Sequence, residues 1–373
     1  MVTLGFLSTY PPTLCGLASF TSALRAALPE GAAGGVVRLV DADGATWPDG
    51  VVGELVAGSA ASCRVAADRL NSQDVAIVQH EYGIYGGEDG DDVLRVLALL
   101  SVPAIVVLHT VLSKPSAHQR FVLDGVVAAA AVVVVMSETA RSRLVNGYQV
   151  PAHRVVVVPH GAPEAQTVPE VDNGDRGQIL TWGLLGPGKG IEWGIEAMAL
   201  LGDISPEPRY VVAGRTHPKV LAHQGERYRS ALSSRAGELG VHGRVRFDAR
   251  YLDVTSLRAL VARTQVVLLP YDSRDQVTSG VLVEAVTAQI PVVATRFPHA
   301  VELLGNGAGV LVDHQDPVAI AEAVRMILTD RWAAAAMTAA AGVAARSLGW
   351  AAVADRYRTL AEQLTRLATP VVT

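Results

Sequence analysis

The chain has 373 residues, of which 50% are hydrophobic and 18% are charged, and its formal net charge is -5. This length predicts two or three domains, and the apolar half of the composition excludes a disordered chain. No block of Lys and Arg stands out, so neither nucleic acid nor an anionic membrane surface is expected as a partner.

Short Val-rich apolar runs alternate with helical patterns along the chain. Runs of about four to six apolar residues, rich in β-branched types, are typical of strands buried on both faces. In chain order these strands are predicted at 2–7, 36–40, 75–79, 104–108, 131–136, 155–158, 178–182, 210–213, 244–247, 265–269, 291–295 and 309–312. Helical spacing is seen at 17–28, 59–70, 192–201, 317–328 and 350–367. Alternating strands and helices predict parallel sheets with right-handed crossovers.

The strand–helix pattern pauses between Gly161 and Gly177, in a segment that contains prolines and an Asn173-Gly174 pair. Such a composition indicates a linker. We therefore predict one doubly wound domain at 1–165 and a second at 176–347. A last helix, at about 350–369, is predicted to pack back on the first domain.

The loop after the predicted strand 178–182 contains the sharpest motif. It reads Gly183-Leu184-Leu185-Gly186-Pro187-Gly188-Lys189-Gly190 and leads into a helix. Glycines allow close backbone approach, and a helix N-terminus offers free amides to an anion. Lys189, one of only three lysines in the chain, adds a positive charge, so this loop is predicted to bind phosphate. Gly190 stands where a P-loop needs Ser or Thr, and a dinucleotide fingerprint is absent. A plain glycine-rich turn is the alternative.

A second loop of the phosphate-binding type follows the predicted strand 265–269. Thr278, Ser279 and Gly280 have the composition of a helix start, where free amides can again hold an anion. Glu284 lies about one turn inside that helix and could accept hydrogen bonds from ribose hydroxyls. The alternative is an ordinary capped helix with a solvated Glu284.

Loops of the first half also place polar residues directly after strands. Gly16 lies in the loop after the first strand, and His109 follows the strand 104–108. His80 and Glu81 follow the strand 75–79 and lead into a glycine-rich run that starts at Tyr82. Because ligands of open α/β sheets bind beyond the carboxyl ends of the strands, both histidines are candidates for substrate contact. Packing in the core is the alternative.

Metal and nucleophile motifs are weak by comparison. His80-Glu81 lacks the second His of a zincin helix, and Asp89, Asp91 and Asp92 do not have the spacing of an EF-hand. No nucleophile elbow is present. The two cysteines, Cys15 and Cys63, form no disulfide framework, and no signal peptide is expected, which favours a cytoplasmic setting.

These loops, taken in order, resemble glycosyltransferase family 4, whose members are retaining nucleotide-sugar transferases with the GT-B fold. The resemblance covers nearly the whole chain. It implies an α/β fold of two Rossmann-like doubly wound domains that face each other across a cleft. It also implies an acceptor side in the first domain and a nucleotide-sugar site in the second.

The resemblance assigns roles to individual residues. Catalytic roles are implied for His109, Lys189 and Gln276, and Arg215 is added as a catalytic candidate from its place after strand 210–213. Donor binding is implied for Gly16, Gly183, Lys189, Tyr251, Leu252, Ser279, Gly280, Val281, Leu282 and Glu284. Acceptor binding is implied for Tyr10, His80, Glu81, Tyr82 and Gly87.

Two positions depart from the family pattern. Leu184 stands where the family usually has Arg, and Gln276 stands at the first acid of the E-x7-E element. Loss of one positive donor at a leaving group costs about 2–4 kcal/mol of transition-state stabilisation. Arg215, in the loop after strand 210–213, is predicted to supply the missing charge. Gln276 can hydrogen-bond sugar hydroxyls but cannot act as a base.

The expected activity is retaining transfer of a hexose from a nucleoside diphosphate-sugar to a sugar or small-molecule acceptor. GDP-mannose is the first choice of donor and UDP-glucose the second, and neither a metal nor another cofactor is expected. The protein is expected to be a cytoplasmic monomer or homodimer without a transmembrane segment. Two alternatives stay open: a non-catalytic nucleotide-binding homologue, and a GT-B epimerase or phosphorylase.

Overall fold

A computed structural model describes residues 1–42, 44, 46–164 and 177–368 of the chain. Most of the predicted linker, 161–177, lies outside the described residues. The chain divides into two units, which we call unit 1 and unit 2. Unit 1 comprises Met1–Gly161 and the helix that begins at Trp350, and unit 2 comprises Ala162–Gly349. Their boundary falls a few residues before the predicted end of the first domain.

Unit 1 is built on a seven-stranded parallel sheet with the strand order β3-β2-β1-β4-β5-β6-β7. The strands are β1 (Leu4–Ser8), β2 (Ala33–Val40), β3 (Val51–Val56), β4 (Val75–His80), β5 (Ala104–Leu108), β6 (Val132–Val135) and β7 (Val155–Val157). The helices are α1 (Gly16–Ala27), α2 (Ala60–Asn71), α3 (Asp92–Leu97), α4 (Ala117–Ala129), α5 (Glu138–Gly147) and α14 (Trp350–Ala368). Every residue of β1, β4 and β5 is buried, as expected for central parallel strands.

Unit 2 is built on a six-stranded parallel sheet with the strand order β10-β9-β8-β11-β12-β13. The strands are β8 (Gln178–Trp182), β9 (Arg209–Ala213), β10 (Val245–Asp248), β11 (Val266–Leu269), β12 (Val292–Thr295) and β13 (Gly309–Val312). The helices are α6 (Ile191–Ala199), α7 (Pro218–Gln224), α8 (Arg227–Glu238), α9 (Val254–Ala262), α10 (Gly280–Thr287), α11 (Pro298–Leu304), α12 (Pro317–Thr329) and α13 (Arg331–Ala345). Two clusters of buried apolar side chains pack on the sheet.

The strand order reverses beside the first strand of each sheet. β1 lies between β2 and β4, and β8 lies between β9 and β11. At such a switch point the connections leave toward opposite faces, and ligands of doubly wound sheets bind at the carboxyl ends of the strands there. The loops after β1, β4, β8 and β11 are therefore the first places to look for a site. They include four of the loops that the sequence nominates.

One strand, β3, was missing from the predicted set. Its sequence contains Gly53 and Glu54, which interrupt the continuous apolar run that identifies the other strands. The Glu54 carboxylate is buried and receives hydrogen bonds from Arg38 on β2 and from the amide of Gly44. This buried ion pair is a tertiary feature, and local hydrophobicity does not reveal it.

The last helix, α14, belongs to unit 1 although it is far from the rest of that unit in sequence. It packs on α1 and buries Val353, Ala354, Tyr357 and Ala361 in the same cluster as Phe20. These positions recur every one to four residues and define one face of the helix. Within the described residues, no helix combines the length and the apolar character needed to cross a lipid bilayer.

We predict that Tyr357→Ala lowers the free energy of unfolding by about 3–5 kcal/mol, because it removes a fully buried aromatic ring from the core of unit 1. Tyr357→Phe is the matched control. The Tyr357 hydroxyl has no hydrogen-bond partner among the described residues, so its removal should not destabilise the protein. Urea denaturation measures both effects. If Tyr357→Ala and Tyr357→Phe had the same free energy of unfolding, the packing of the Tyr357 ring in the core of unit 1 would be contradicted.

Candidate functional site

The glycine-rich loop after β8 is joined by backbone hydrogen bonds to the loop after β9. The amide of Leu185 donates to the carbonyl of Arg215 at 2.8 Å, and the amide of His217 donates to the carbonyl of Leu185 at 2.8 Å. The sheet ladder thus continues past the ends of the strands. This pairing brings residues 183–190 and Arg215 to the same edge of unit 2.

Two glycines make the close approach of these loops possible. A Cβ on Gly214 would lie 1.8 Å from the carbonyl oxygen of Gly183, and a Cβ on Gly190 would lie 1.8 Å from that of Pro270. Both glycines also have positive φ, at 140° and 61°. No other residue type fits either position without moving the backbone. Gly183 has positive φ as well, at 116°.

Lys189 lies with its ammonium group 4.3 Å from the ring centroid of Tyr271, which directly follows β11 and Pro270. The Tyr271 ring is stacked on Phe297 with the centroids 5.3 Å apart. Among the described residues, no carboxylate forms an ion pair with Lys189. The aromatic face positions the ammonium group while leaving its charge uncompensated. A partly buried cation in this state favours an anionic ligand.

The loop after β9 adds further donors beside Lys189. The Arg215 side chain is exposed and makes no hydrogen bond or ion pair in the part of the chain that the structure describes. His217 is partly buried and caps α7 by accepting a hydrogen bond from the amide of Lys219. Burial lowers the pKa of His217, and the positive charges of Lys219 and Lys189 lower it further. The sequence analysis passed over His217, although it follows the same strand as Arg215.

The second loop of unit 2 ends in the N-terminus of α10. The hydroxyl of Ser279 accepts a hydrogen bond from the amide of Leu282 at 3.3 Å, and the amide of Ser279 donates to Nδ1 of His299 at 2.9 Å. Within the described residues, the amides of Gly280 and Val281 have no such partner. The sequence nominates 279–282 as a group of ligand-binding residues. The structure leaves two of its four amides for a ligand.

The two loops of unit 2 lie side by side. A Cβ on Gly183 would be 3.6 Å from a methyl group of Val281. The free amides of α10 and the glycine-rich loop therefore belong to one site. His299, which the sequence analysis did not single out, fixes this arrangement, because its amide also donates to the carbonyl of Gln276 at 3.2 Å.

Glu284 is held by a tryptophan from the neighbouring strand. Its Oε2 accepts a hydrogen bond from the indole N–H of Trp182, the last residue of β8, at 3.0 Å. Burial raises the pKa of Glu284, and the hydrogen bond from Trp182 opposes that rise. The carboxylate is thus oriented with Oε1 left for another partner. The sequence predicts Glu284 but not Trp182.

The amide group of Gln276 is tied to its own loop. Its Nε2 donates to the carbonyl of Thr278 at 2.9 Å, so the side chain supports the turn that leads into α10. Tyr251 and Leu252 follow β10 at the same edge of the sheet. Tyr251 is 41% exposed, and Leu252 packs on the apolar cluster of unit 2. In the described residues, no hydrogen bond or ring contact links either of them to the glycine-rich loop.

In unit 1, His109 lies at the end of β5 and is fixed on several sides. Its Nε2 lies 2.7 Å from Oε1 of Gln79, and its amide donates to the carbonyl of His80 at 3.1 Å. The ring of Phe20 meets the imidazole edge to face, with centroids 5.1 Å apart. Burial, together with smaller effects of His160 and His80, lowers the pKa of His109 to about 3. The imidazole is therefore neutral at pH 7.

Phe20 also links this histidine to the two chain segments at the boundary of unit 1. It contacts His160 at 5.0 Å and Trp350 at 5.1 Å between ring centroids. Gly161 packs flat on the indole of Trp350, since a Cβ there would lie 2.2 Å from the ring. Gly16 begins α1 and is exposed, with no atom within 4 Å of a Cβ placed on it. The space next to the Cα of Gly16 is therefore not filled by other described residues.

The structure places His80 and Tyr10 in the interior. His80 is fully buried and Tyr10 is 7% exposed. Neither ring nitrogen of His80 has a hydrogen-bond partner among the described residues, and burial lowers its pKa to about 4. Both side chains pack in the interior of unit 1, beneath the loops that follow the strands. The burial of the His80 ring corrects the expectation that it faces substrate. Being at a strand end does not expose a ring that the next loop covers.

The remaining acceptor candidates lie in the loop after β4. Glu81 accepts hydrogen bonds from the amide of Tyr82 at 3.0 Å and from the hydroxyl of Thr110. The Tyr82 hydroxyl donates to the carbonyl of Gln119 at 3.3 Å, and Gly87 has a φ of 82°. These contacts tie the loop after β4 to the loop after β5.

One group of side chains has the composition of a metal site. Ligand atoms of Glu88, Asp89 and His118 lie within 4.8 Å of one another. Glu88 is exposed, and Nδ1 of His118 lies 3.2 Å from Oδ2 of Asp89, so an ordinary hydrogen-bonded surface loop accounts for the arrangement. The metal-free reaction expected from the sequence stays a prediction.

Comparison with solved structures identifies the architecture. HepE from Anabaena, in complex with UDP and glucose, matches with a TM-score of 0.75 and 16% identity, over 97% of this chain and 100% of that chain. Sucrose-phosphate synthase from Thermosynechococcus elongatus matches with a TM-score of 0.76 and 16% identity, over 98% of this chain and 100% of that one. The fold is GT-B.

A third GT-B structure agrees with the first two. The UDP-forming α,α-trehalose-phosphate synthase from Burkholderia xenovorans has a TM-score of 0.71 and 17% identity, over 99% of this chain and 100% of that one. Residues 176–330 match the family model described as glycosyl transferases group 1. That range contains both loops of the unit 2 site. A comparison with curated proteins gives no significant match.

We predict that acid destabilises the protein through His80. Its pKa falls from 6.5 in the unfolded chain to about 4 in the fold, so the unfolded state binds more protons between these values. The free energy of unfolding should therefore fall as the pH drops through this window, by about 1 kcal/mol per pH unit for this one group. His80→Leu should lower the slope by this amount, while His109 and His160, whose pKa values are also lowered, keep their own contributions. Exposed His153→Leu is the control and should retain the full slope, as measured by urea denaturation at several pH values. An unchanged slope in His80→Leu would contradict the assignment.

Proposed function

We propose that the protein is a retaining glycosyltransferase that moves a hexose from a nucleoside diphosphate-sugar to a sugar or small-molecule acceptor. One observation carries the proposal. Two anion-type loops, one with the unpaired Lys189 and one with the free amides of α10, meet at the switch point of a GT-B unit. That unit also contains the segment that matches the glycosyl transferases group 1 model.

The donor diphosphate would bind between these loops. Lys189 contributes a positive charge, and the amides of Gly280 and Val281 contribute hydrogen bonds at a helix N-terminus. Arg215 makes no hydrogen bond or ion pair among the described residues, and its charge, which also lowers the pKa of Glu226, would replace the one that Leu184 lacks. Glu284, oriented by Trp182, would accept hydrogen bonds from the ribose hydroxyls.

The same groups would serve catalysis. Negative charge grows on the diphosphate as the glycosidic bond breaks, and positive groups held in place stabilise that charge more than the ground state. In a retaining reaction the acceptor hydroxyl would attack from the face that the diphosphate leaves. The departing phosphate oxygen would take the acceptor proton, so no protein nucleophile takes part. Fixed protein cations would supply the charge that a metal ion supplies in other enzymes.

The sugar-binding side is proposed for unit 1, around Gly16, His109 and the loop that begins at Glu81. His109 is neutral and can exchange hydrogen bonds with sugar hydroxyls. Cys15 and Cys63 are both free thiols, which supports the proposed cytoplasmic setting.

Two donors are proposed for the first tests. The complex of HepE with UDP and glucose supports UDP-glucose, whereas the sequence resemblance favours GDP-mannose. Two observations favour the alternative of a non-catalytic nucleotide-binding protein. Gln276 replaces an acid of the family pattern, and the side-chain amide of Gln276 donates to the carbonyl of Thr278. Purified protein should release nucleoside diphosphate from a donor only when an acceptor is added. Release without an acceptor, or tight nucleotide binding with no turnover over a broad acceptor panel, would contradict the transferase proposal.

We predict that Lys189→Ala lowers turnover by roughly 100-fold or more, because it removes the unpaired charge beside the leaving diphosphate. Lys219→Ala is the matched control. It removes the same charge from exposed α7 and should change turnover less than about 3-fold. Initial rates of nucleoside diphosphate release measure both. Near-normal turnover of Lys189→Ala would remove its role at the phosphate.

We predict that Gln276→Glu lowers turnover about 10-fold, because a carboxylate cannot donate to the carbonyl of Thr278 and would repel it. Exposed Gln224→Glu on α7 introduces the same charge and should have no effect. A rise in activity of Gln276→Glu would instead show that the acid of the family pattern is preferred at this position and that the contact of Gln276 with Thr278 is not needed.

A further inference from the structure

Gln79, which the sequence analysis did not consider, is the direct neighbour of the candidate sugar-binding histidine. The parallel pairing of β4 and β5 sets Gln79 opposite Val107 and His80 opposite Leu108, so His109 continues the ladder by one residue. Gln79 is fully buried, and its backbone carbonyl accepts a hydrogen bond from the hydroxyl of Tyr85 at 2.6 Å. This contact holds the backbone of Gln79 at the end of β4, and the buried Nε2 of its side chain has no hydrogen-bond partner among the described residues.

The hydrogen bond between these residues has a defined direction. With the Gln79 amide oriented so that Oε1 lies 2.7 Å from Nε2 of His109, Oε1 accepts and Nε2 carries the proton; the opposite amide orientation would reverse these roles. In a neutral imidazole the other nitrogen, Nδ1, is then an acceptor. Nδ1 of His109 has no partner among the described residues.

The surroundings of His109 keep it neutral. Phe20 contacts the ring from α1, His80 lies below it at the end of β4, and His160 approaches from the segment after β7. Burial lowers the pKa of all three histidines, to about 3 for His109 and about 4 for the other two. No carboxylate among the described residues pairs with the His109 ring. The neutral amide of Gln79 fixes the imidazole without favouring its protonation. A carboxylate at the same position would favour the imidazolium form.

We propose that Gln79 is a positioning residue that locks His109 in the Nε2–H tautomer, so that Nδ1 accepts a hydrogen bond from one hydroxyl of the sugar substrate. The identity of that substrate rests on the proposed function. Because Nδ1 of His109 would be a fixed hydrogen-bond acceptor, the site would favour a substrate with a hydroxyl group opposite Nδ1. A deoxy or fluoro analogue leaves Nδ1 unpaired in a buried place and is rejected.

The tautomer can be read without any substrate. In ¹⁵N NMR of histidine-labelled protein at pH 7, Nε2 of His109 should have a protonated, pyrrole-type shift and Nδ1 a bare, pyridine-type shift. His109→Gln identifies the signal. A pyrrole-type shift at Nδ1 would overturn the proposal, as would a pair of averaged shifts. Because this measurement needs no turnover, it separates a failure of this inference from a failure of the proposed function.

Two substitutions at Gln79 add a kinetic test. Gln79→Leu removes the acceptor, so His109 should sample both tautomers and kcat/KM should fall about 5- to 10-fold, the effect of one lost hydrogen bond. Gln79→Glu should raise the pKa of His109 by about 1–3 pH units, because a carboxylate stabilises the imidazolium. The kcat/KM profile should then fall toward acid pH, where that of the wild type is flat.

Exposed Gln149→Glu, on the surface of unit 1, is the matched control for the charge change. Its NMR shifts at His109 and its pH profile should equal those of the wild type. If Gln79→Leu keeps the Nε2–H tautomer, or if Gln79→Glu leaves the titration of His109 unchanged, Gln79 does not position the ring and the inference falls. A loss of activity in Gln79→Leu with no change of tautomer would indicate a structural role alone.

Discussion

The site in unit 2 depends on the close approach of two backbone turns at the end of its central strands. The carbonyl of Gly183 lies where any side chain on Gly214 would be, and the carbonyl of Pro270 lies where any side chain on Gly190 would be. These contacts set the glycine-rich loop against the loops after β9 and β11. Lys189, Arg215 and the free amides of α10 reach the same edge of the sheet because of this backbone packing.

The loops at the strand ends of the two units differ in charge. Unit 2 presents Lys189 without a carboxylate partner in the described chain, Arg215, whose charge also acts on Glu226, and the free amides of α10, a set that suits a diphosphate. Unit 1 has His109 at the end of β5, neutral because of burial and with Nδ1 unpaired among the described residues, which suits the hydroxyl of a sugar. In the proposed transfer, negative charge develops on the leaving diphosphate, so fixed positive groups would contribute most on the unit 2 side.

Most of the parallel strands could be predicted because continuous apolar runs are buried on both faces, and β3 could not because an ion pair replaces apolar packing at Glu54. The glycine-rich loop could be predicted from its glycines and Lys189, since these residue types indicate an anion site locally, and its phosphate binding stays a prediction. Trp182, His299 and Gln79 were missed for one physical reason. Each acts through a hydrogen bond to a residue distant in sequence, on a neighbouring strand or helix, and only the fold brings such partners together.

Direct binding of nucleotides to the intact protein tests the central claim that the unit 2 loops hold a nucleoside diphosphate. Isothermal titration calorimetry with GDP, UDP, ADP and dTDP, in buffer without divalent metal, would identify the base as well. The account predicts micromolar affinity for one of the four and a much weaker affinity in Lys189→Ala. No binding of any of them would show that the glycine-rich loop and α10 do not form a nucleotide site, and the transferase proposal would fall with it.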